Sequence, residues 1–359
     1  MAEHVAEYEW RGEGNEAEIF LYAPDDSAFE RALPATKLPG VESPVYAAAS
    51  SSGFGWATAS TTHATPDLLS VPLRGLLIIG GTRSENLGVP PQALRDRLLR
   101  ELPEAGSRLP SLNESGVGRL CESGARAAAE DGFIEEEDLP LLDVRSGDAD
   151  ALGRRALAAG PREWEGGVEP DLRLVTQILD TEGTESLGLE EGALALIVRV
   201  DAGDLGRLAL VAHRERILSR VRSGDFGAEP ELPAAPAGSG EAEDLVAALH
   251  AAANFADARA ARVLWILRRV LGSVAGEMDI RTAWRAGGIE ERGGRLVHRS
   301  GLALAEEGHV LVCGSYAAAG TGNMCASAPP FGVPEGEGRW PWEEAGLLER
   351  QATLAPAEG

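Results

Sequence analysis

Apolar residues recur along this chain in two rhythms. Between positions 241 and 271, Leu245, Leu249, Ala252, Ala256, Val263, Leu267 and Val270 return at helical spacing, which predicts an amphipathic helix from about Glu241 to Leu271. Glu241, Glu243 and Asp244 occupy its first turn and Arg268 and Arg269 stand near its end, as the helix dipole favours. Shorter helices are predicted over Pro91 to Leu102, with proline in the first turn, and over Arg119 to Glu130, stopping at Gly132. Elsewhere the apolar runs have strand length. Ile19 to Tyr22, Leu76 to Ile79, Leu172 to Leu179, Leu194 to Val200, Arg207 to His213, Arg295 to Arg299 and His309 to Cys313 are predicted strands. The stretch from Gly224 to Gly240 concentrates Pro, Ala, Gly and Glu and reads as a loop or linker.

Strands and helices mix without regular βαβ alternation, and no internal repeat is present. The pattern predicts an α+β fold, a large mixed β-sheet core flanked by helices. It further predicts a polar N-terminal segment 1–18, a single domain over 19–346 and a tail at 347–359. A chain of 359 residues, 44% hydrophobic and 25% charged, can bury such a core and is not a disordered polymer. No segment approaches the roughly 20 apolar residues that cross a bilayer. The first residues also lack the basic and apolar regions of a signal peptide, so a cytoplasmic protein without membrane association is expected. Cys121, Cys313 and Cys325 form no CxxC pair, and their odd number argues for buried, reduced thiols.

Charge narrows the function. With 33 Lys and Arg against 57 Asp and Glu, the net charge is −24, and Lys37 is the single lysine. Phosphate backbones reward clustered cations, so weak RNA binding at most is expected. Arg207, Arg214, Arg216, Arg220 and Arg222 form one local basic stretch, which reads as a solvated face interleaved with Glu215. The six histidines make no HxxxH pair, so a local zinc motif is absent. Residues 314–320 open and close on glycine, but Thr321 stands where a phosphate-binding loop needs lysine. Motifs of this kind do not specify a chemistry.

Several segments, taken together and in order, resemble the RtcB family of RNA-splicing ligases. Residues 47–55 (AAASSSGFG) are similar to the family's MPDVHxGYG, and residues 75–83 (GLLIIGGTR) to GxDIxCGxR. Residues 188–206 open with GLEEG like the family's segment that continues to IHSGSRGLG. Residues 251–256 (AAANFA) resemble AAANYA, 297–301 (VHRSG) resemble VHRKG, Gly314 and Ser315 match part of PGSMGT, and 334–339 (PEGEGR) resemble the HGAGR stretch. The resemblance runs from about residue 19 to 346. It implies an RtcB-like α+β scaffold of a kind that joins 3′-phosphate or 2′,3′-cyclic phosphate RNA ends to 5′-hydroxyl ends with GTP and manganese.

The same correspondence implies lost chemistry. The family's metal-binding Asp, Cys and three His fall at Leu77, Gly80, Leu172, Arg199 and Thr282, and its guanylylated histidine falls at Glu335. Leucine, glycine, threonine and arginine cannot furnish a manganese shell, and without a metal nothing neutralises a triphosphate. The resemblance therefore implies a non-catalytic relative that binds or regulates an unidentified protein partner, with no cofactor. Two alternatives stand beside it. One is a GTP- and manganese-dependent RNA ligase with a rebuilt site, where Glu335 would carry the nucleotide; the other is an unrelated small-molecule-binding α+β protein. A surviving nucleotide pocket, by resemblance, would be lined by His298, Arg299, Gly314, Ser315, Gly336, Gly338 and Arg339. Arg199, placed where a metal-binding histidine stood, is expected to pair with Glu335, Asp171 or Asp201.

Overall fold

A computed structural model describes residues 6–12, 15–22, 29–50, 53–67, 69–83, 86–107, 111–142, 147–165, 169–178, 190–300, 302–304, 311–313, 322–325, 331–332 and 350–356. The fold is α+β. Its strands divide between two main sheets. One sheet orders β1 (Ala6–Gly12), β2 (Asn15–Tyr22), β3 (Val41–Ser50), β4 (Gly53–Ser60), β12 (Arg295–Ser300) and β11 (Gly288–Arg292). The other orders β10 (Met278–Ala286), β6 (Leu73–Arg83), β8 (Ala193–Asp201), β7 (Glu169–Ile178), β17 (Arg350–Pro356), β15 (Gly322–Cys325) and β16 (Phe331–Gly332). Two ribbons complete the set, β13 (Leu302–Leu304) with β14 (Leu311–Cys313) and β5 (His63–Ala64) with β9 (Ala235–Pro236). Among the described pairings, β2 with β3 alone is parallel.

The helices are α1 (Phe29–Thr36), α2 (Pro91–Ser107), α3 (Glu114–Glu130), α4 (Ala149–Leu152), α5 (Arg154–Leu157), α6 (Gly160–Glu165), α7 (Gly203–Arg222) and α8 (Gly240–Ala275). α8 forms for reasons visible in its sequence. Ser239 caps it by accepting the Ala242 N–H at 3.3 Å, acids fill its first turn, and Gly276, at φ 75°, ends it. Its small residues, among them Ala251, Ala252, Ala256, Ala260 and Ala261, are fully buried and let it approach both the sheet and α3 closely. Leu76 and Ile78 of β6 with Leu196 and Val198 of β8 face this helix, each large side chain contributing about 2 kcal/mol of burial. A smaller core of Ile19, Val45 and Trp56 under Ala32 and Ala35 of α1 holds the six-stranded sheet.

The predicted strand Arg207 to His213 is instead part of α7. Seven residues of RLALVAH satisfy a strand template, yet over the full element Leu205, Ala209, His213, Ile217 and Val221 recur every four positions and are all buried. The longer helical period wins because it buries one continuous stripe. The loop read at 224–240 is stitched down: Ala64 pairs with Ala235, and Leu232, Ala234 and Ala235 are buried. The segments 1–18 and 347–359, set apart in the sequence reading, contribute β1, part of β2 and all of β17 to the sheets.

Candidate functional site

β10 and β11 belong to different sheets and are joined through a single residue, Gly287. The crossing demands glycine: φ is 76°, and an added Cβ would come 2.5 Å from Ser70 Oγ and 2.8 Å from the Val71 carbonyl oxygen. Beside this crossing, over the Leu249 to Ala253 stretch of α8, lies a cavity of about 20 Å³ lined by Arg285, Glu290, Arg299 and His250 among others.

The charged groups around it form a buried chain. Asp257, on the sheet-facing side of α8, accepts Arg74 Nε from β6 at 2.6 Å and also binds the Arg285 guanidinium from β10. Arg299 of β12 lies 2.7 Å from the Glu290 carboxylate of β11, both nearly inaccessible, and its second amino group donates to the Arg285 carbonyl at 3.3 Å. Burial alone would push the Asp257 carboxyl up, but Arg285 and Arg74 more than reverse this and hold it below the usual carboxylate range. One carboxylate thus fastens a helix to two strands, and the Arg299 link carries the connection to the other sheet.

His298 and Arg299 were expected to line one pocket, and the strand separates them. Gly288 stands opposite Arg299 and Ile289 opposite His298, so alternation sends the two side chains to different faces. Arg299 reaches the cavity. His298 is completely buried elsewhere, its Nδ1–H donating to the Leu296 carbonyl at 3.0 Å and its Nε2 accepting the Thr65 N–H at 3.2 Å. That pair of partners fixes a neutral imidazole, and burial lowers its pKa to about 4. Gly314, Ser315, Glu335, Gly336, Gly338 and Arg339 lie outside the described residues.

Of the five positions matched to metal ligands, Leu172 and Arg199 lie on opposite faces of their sheet. Leu172 stands in register with Leu196 and lies in the main core at 3% exposure. Arg199 sits between Val198 and Val200, both in that core, so it projects from the opposite face of β8, where it is half-buried. Gly80 abuts the end of α8: a Cβ there would lie 3.2 Å from the Ala275 carbonyl oxygen. Leu77 pairs in register with Thr282 on one side and Ile197 on the other. Of the carboxylates expected near Arg199, Asp201 lies 3.5 Å from Arg259, Asp171 is in register with Ile197, and Glu335 is outside the described residues. Across β7 the residue opposite Arg199 is Glu169. Among the described residues no three His, Cys, Asp or Glu side chains form a metal-binding cluster, and no helix is long and apolar enough to cross a membrane.

Sequence reasoning missed His250, Glu290, Arg285, Arg74 and Asp257. One signal was present: Asp257, Arg259 and Arg262 interrupt the Ala-rich stretch of the longest predicted helix, and all three are buried.

Comparison with known proteins places the chain near one group. It is 27% identical over 215 residues to the RNA-splicing ligase RtcB of Mycobacterium bovis, and equally so to that of Mycobacterium tuberculosis, a match over 56% of this chain and 49% of each relative. The chain spans about half the length of the curated relatives it matches. No family model matches it. The likeness supports a distant relationship to RtcB ligases.

Proposed function

We propose that this chain is an RtcB-like protein that performs no RNA ligation and serves as a binding or regulatory scaffold for another protein. The observation that carries this reading is the placement of Leu172 and Arg199. One is an aliphatic side chain in the dry core and the other a permanent cation on the far face of the same sheet. A manganese ion needs several oxygen, nitrogen or sulfur donors converging within bonding distance. Leu172 and Arg199 supply no such donor and point to opposite faces, and Gly80, closed against Ala275, adds none. The manganese of the RtcB ligases does not fit these residues.

The polypeptide has kept what a scaffold needs. α8, with its matched Ala-Ala-Ala-Asn stretch, packs as the central helix, and Asn254 donates to the Cys121 carbonyl at 3.0 Å, tying α8 to α3. The test is direct. Purified protein incubated with labelled GTP and manganese is denatured and counted, and RNA carrying 3′-phosphate and 5′-hydroxyl ends is assayed for joining. The expected result is no retained label and no joined product, together with a specific protein partner in a pull-down from the native host. Label retained on the denatured chain overturns the reading, and its loss in Glu335→Ala would place the nucleotide on that carboxylate.

A further inference from the structure

We propose that the surface around Phe133 and Trp265 is a docking face for an arginine-bearing segment of a protein partner. The inference rests on the scaffold reading above and names the surface and the partner chemistry that this reading leaves open.

The face is built on an aromatic pair. Phe133, just past the end of α3, and Trp265, on α8, meet edge to face with ring centroids 5.9 Å apart. Both pack against the main core, and both keep part of their surface open to solvent. Partly open aromatic side chains anchored on a rigid core are the material of interface hot spots. The surroundings are fixed as well. Arg268, three residues on from Trp265, holds Asp138 through two bonds of 2.6 and 3.1 Å and donates its Nε to the Met278 carbonyl at 3.0 Å. The 3₁₀ turn Glu136–Leu141, which carries Asp138, is thereby fastened to α8 one helical turn from the tryptophan.

Arg269 shows which group the ring accepts. Its guanidinium lies 4.6 Å from the centre of the Trp265 ring, the side chain is exposed, and among the described residues no carboxylate pairs with it. Glu135, Glu136 and Glu137, within four residues of Phe133, are exposed and likewise have no ion-pair partner among the described residues. Arg269 reaches the ring and none of these acids. A guanidinium arriving on another chain can stack on the ring and direct its fork at the acidic rim, combining a cation–π contact with charge-assisted hydrogen bonds. A lysine ammonium, compact and strongly hydrated, gains less from the ring. The net charge of −24 draws basic segments toward the whole surface, and the rings fix where one settles.

A fluorescein-labelled arginine–glycine repeat peptide, titrated into the full chain at physiological salt and followed by anisotropy, is the probe, with its lysine–glycine counterpart beside it. Saturable binding that is tighter for the arginine peptide is expected. Combining Glu135→Gln, Glu136→Gln and Glu137→Gln should weaken it by about tenfold, the sum of three exposed charge pairs. Combining Glu229→Gln, Glu231→Gln and Glu243→Gln makes the same change of net charge at exposed positions elsewhere and should alter it by less than about twofold. Arg269→Ala clears the ring and should tighten binding by about two- to fivefold, the worth of an exposed cation–π contact. Arg222→Ala, an equal loss of charge at the exposed end of α7, should not. Absence of saturable binding, equal losses from the two glutamine sets, or no gain in Arg269→Ala beyond that in Arg222→Ala overturns the docking face. Equal affinity for the lysine peptide overturns the choice of guanidinium. The assay contains neither GTP nor RNA, so RNA joining by this chain would overturn the scaffold reading and leave a measured peptide complex standing, while a missing peptide complex overturns the docking face alone.

Discussion

Arg74 and Asp257 meet 2.6 Å apart at a place where their side chains are 3% and 1% exposed. Neither could be there alone. The desolvation of each ion is large, and the arrangement holds because the one helix carboxylate is shared between the guanidiniums of both strands.

Asp257→Asn therefore leaves two guanidiniums facing a neutral amide and should destabilise the fold by about 3–5 kcal/mol. Its folded carboxyl titrates below the ordinary value, so its contribution is present at neutral pH and is lost only as pH falls through that lowered value. Replacing all three groups together, as Arg74→Met, Asp257→Leu and Arg285→Met, should recover most of the loss. Urea unfolding of the single and triple variants compares the two; a triple variant no more stable than Asp257→Asn would show that the cluster is not held by mutual compensation.

His298 makes stability depend on pH in a defined window. The unfolded imidazole takes up a proton near 6.5 while the folded one, lowered to about 4, does not, so unfolding gains protons as pH falls between those values. The contribution is complete above 6.5 and disappears toward 4, a loss of about 3 kcal/mol. His213, also lowered by burial, acts in the same direction. Unfolding midpoints measured from pH 7.5 to 4.5 should fall steeply, and His298→Gln should flatten the slope without removing it.

Four of the five arginines of α7 are engaged by acids. Arg207 lies 2.8 Å from Asp204, Arg214 2.6 Å from Asp67, Arg216 2.5 Å from Asp244 and Arg220 2.9 Å from Asp225. Exposed pairs of this kind add little stability but locally cancel the field a phosphate would feel. Fluorescence anisotropy with a single-stranded RNA at physiological salt should give an affinity weaker than micromolar. Neutralising these four arginines to glutamine should change it less than twofold, and a submicromolar value abolished by the substitutions would overturn this expectation.

Gly287→Ala should destabilise by about 2 kcal/mol or more, because it combines an unfavourable positive φ with overlap against Ser70 and the Val71 carbonyl. Gly293→Ala, at φ 57° in an open turn with nothing near its Cβ, carries the conformational cost alone. The difference between their thermal midpoints isolates the steric part, and equal midpoints would mean that the crossing relaxes freely.

The parts of this fold that were legible are those where one local rule governs. α8 announces itself through charge gradient and periodicity, and the structure only lengthens it, from Glu241–Leu271 to Gly240–Ala275. α7 misleads because Arg207 to His213 is too short a window to separate two periods, and its helical stripe is apparent only when Leu205 and Ile217 are included. The cavity was not legible at all, since Arg285, Glu290 and Arg299 are brought over His250 by a sheet crossing that no local pattern encodes. Resemblance points to Arg299 but pairs it in one pocket with His298, and strand alternation over Arg295 to Arg299 sends adjacent side chains to opposite faces.

β17 gives the order of synthesis a role. Ala352 pairs with Ile178 and Leu354 with Val175, so one edge of β7 waits for a strand made at the far end of the chain. Until then β7 presents unpaired backbone groups, an invitation to any other extended segment. Closing so long a loop is slow, and the rest of the sheet, whose β6, β8 and α8 precede β17 in sequence, can assemble first. A ribosome-bound or prematurely terminated product lacking residues 350–356 would hold a nearly complete core with an open margin, the form in which this protein is most exposed to self-association and to capture by chaperones.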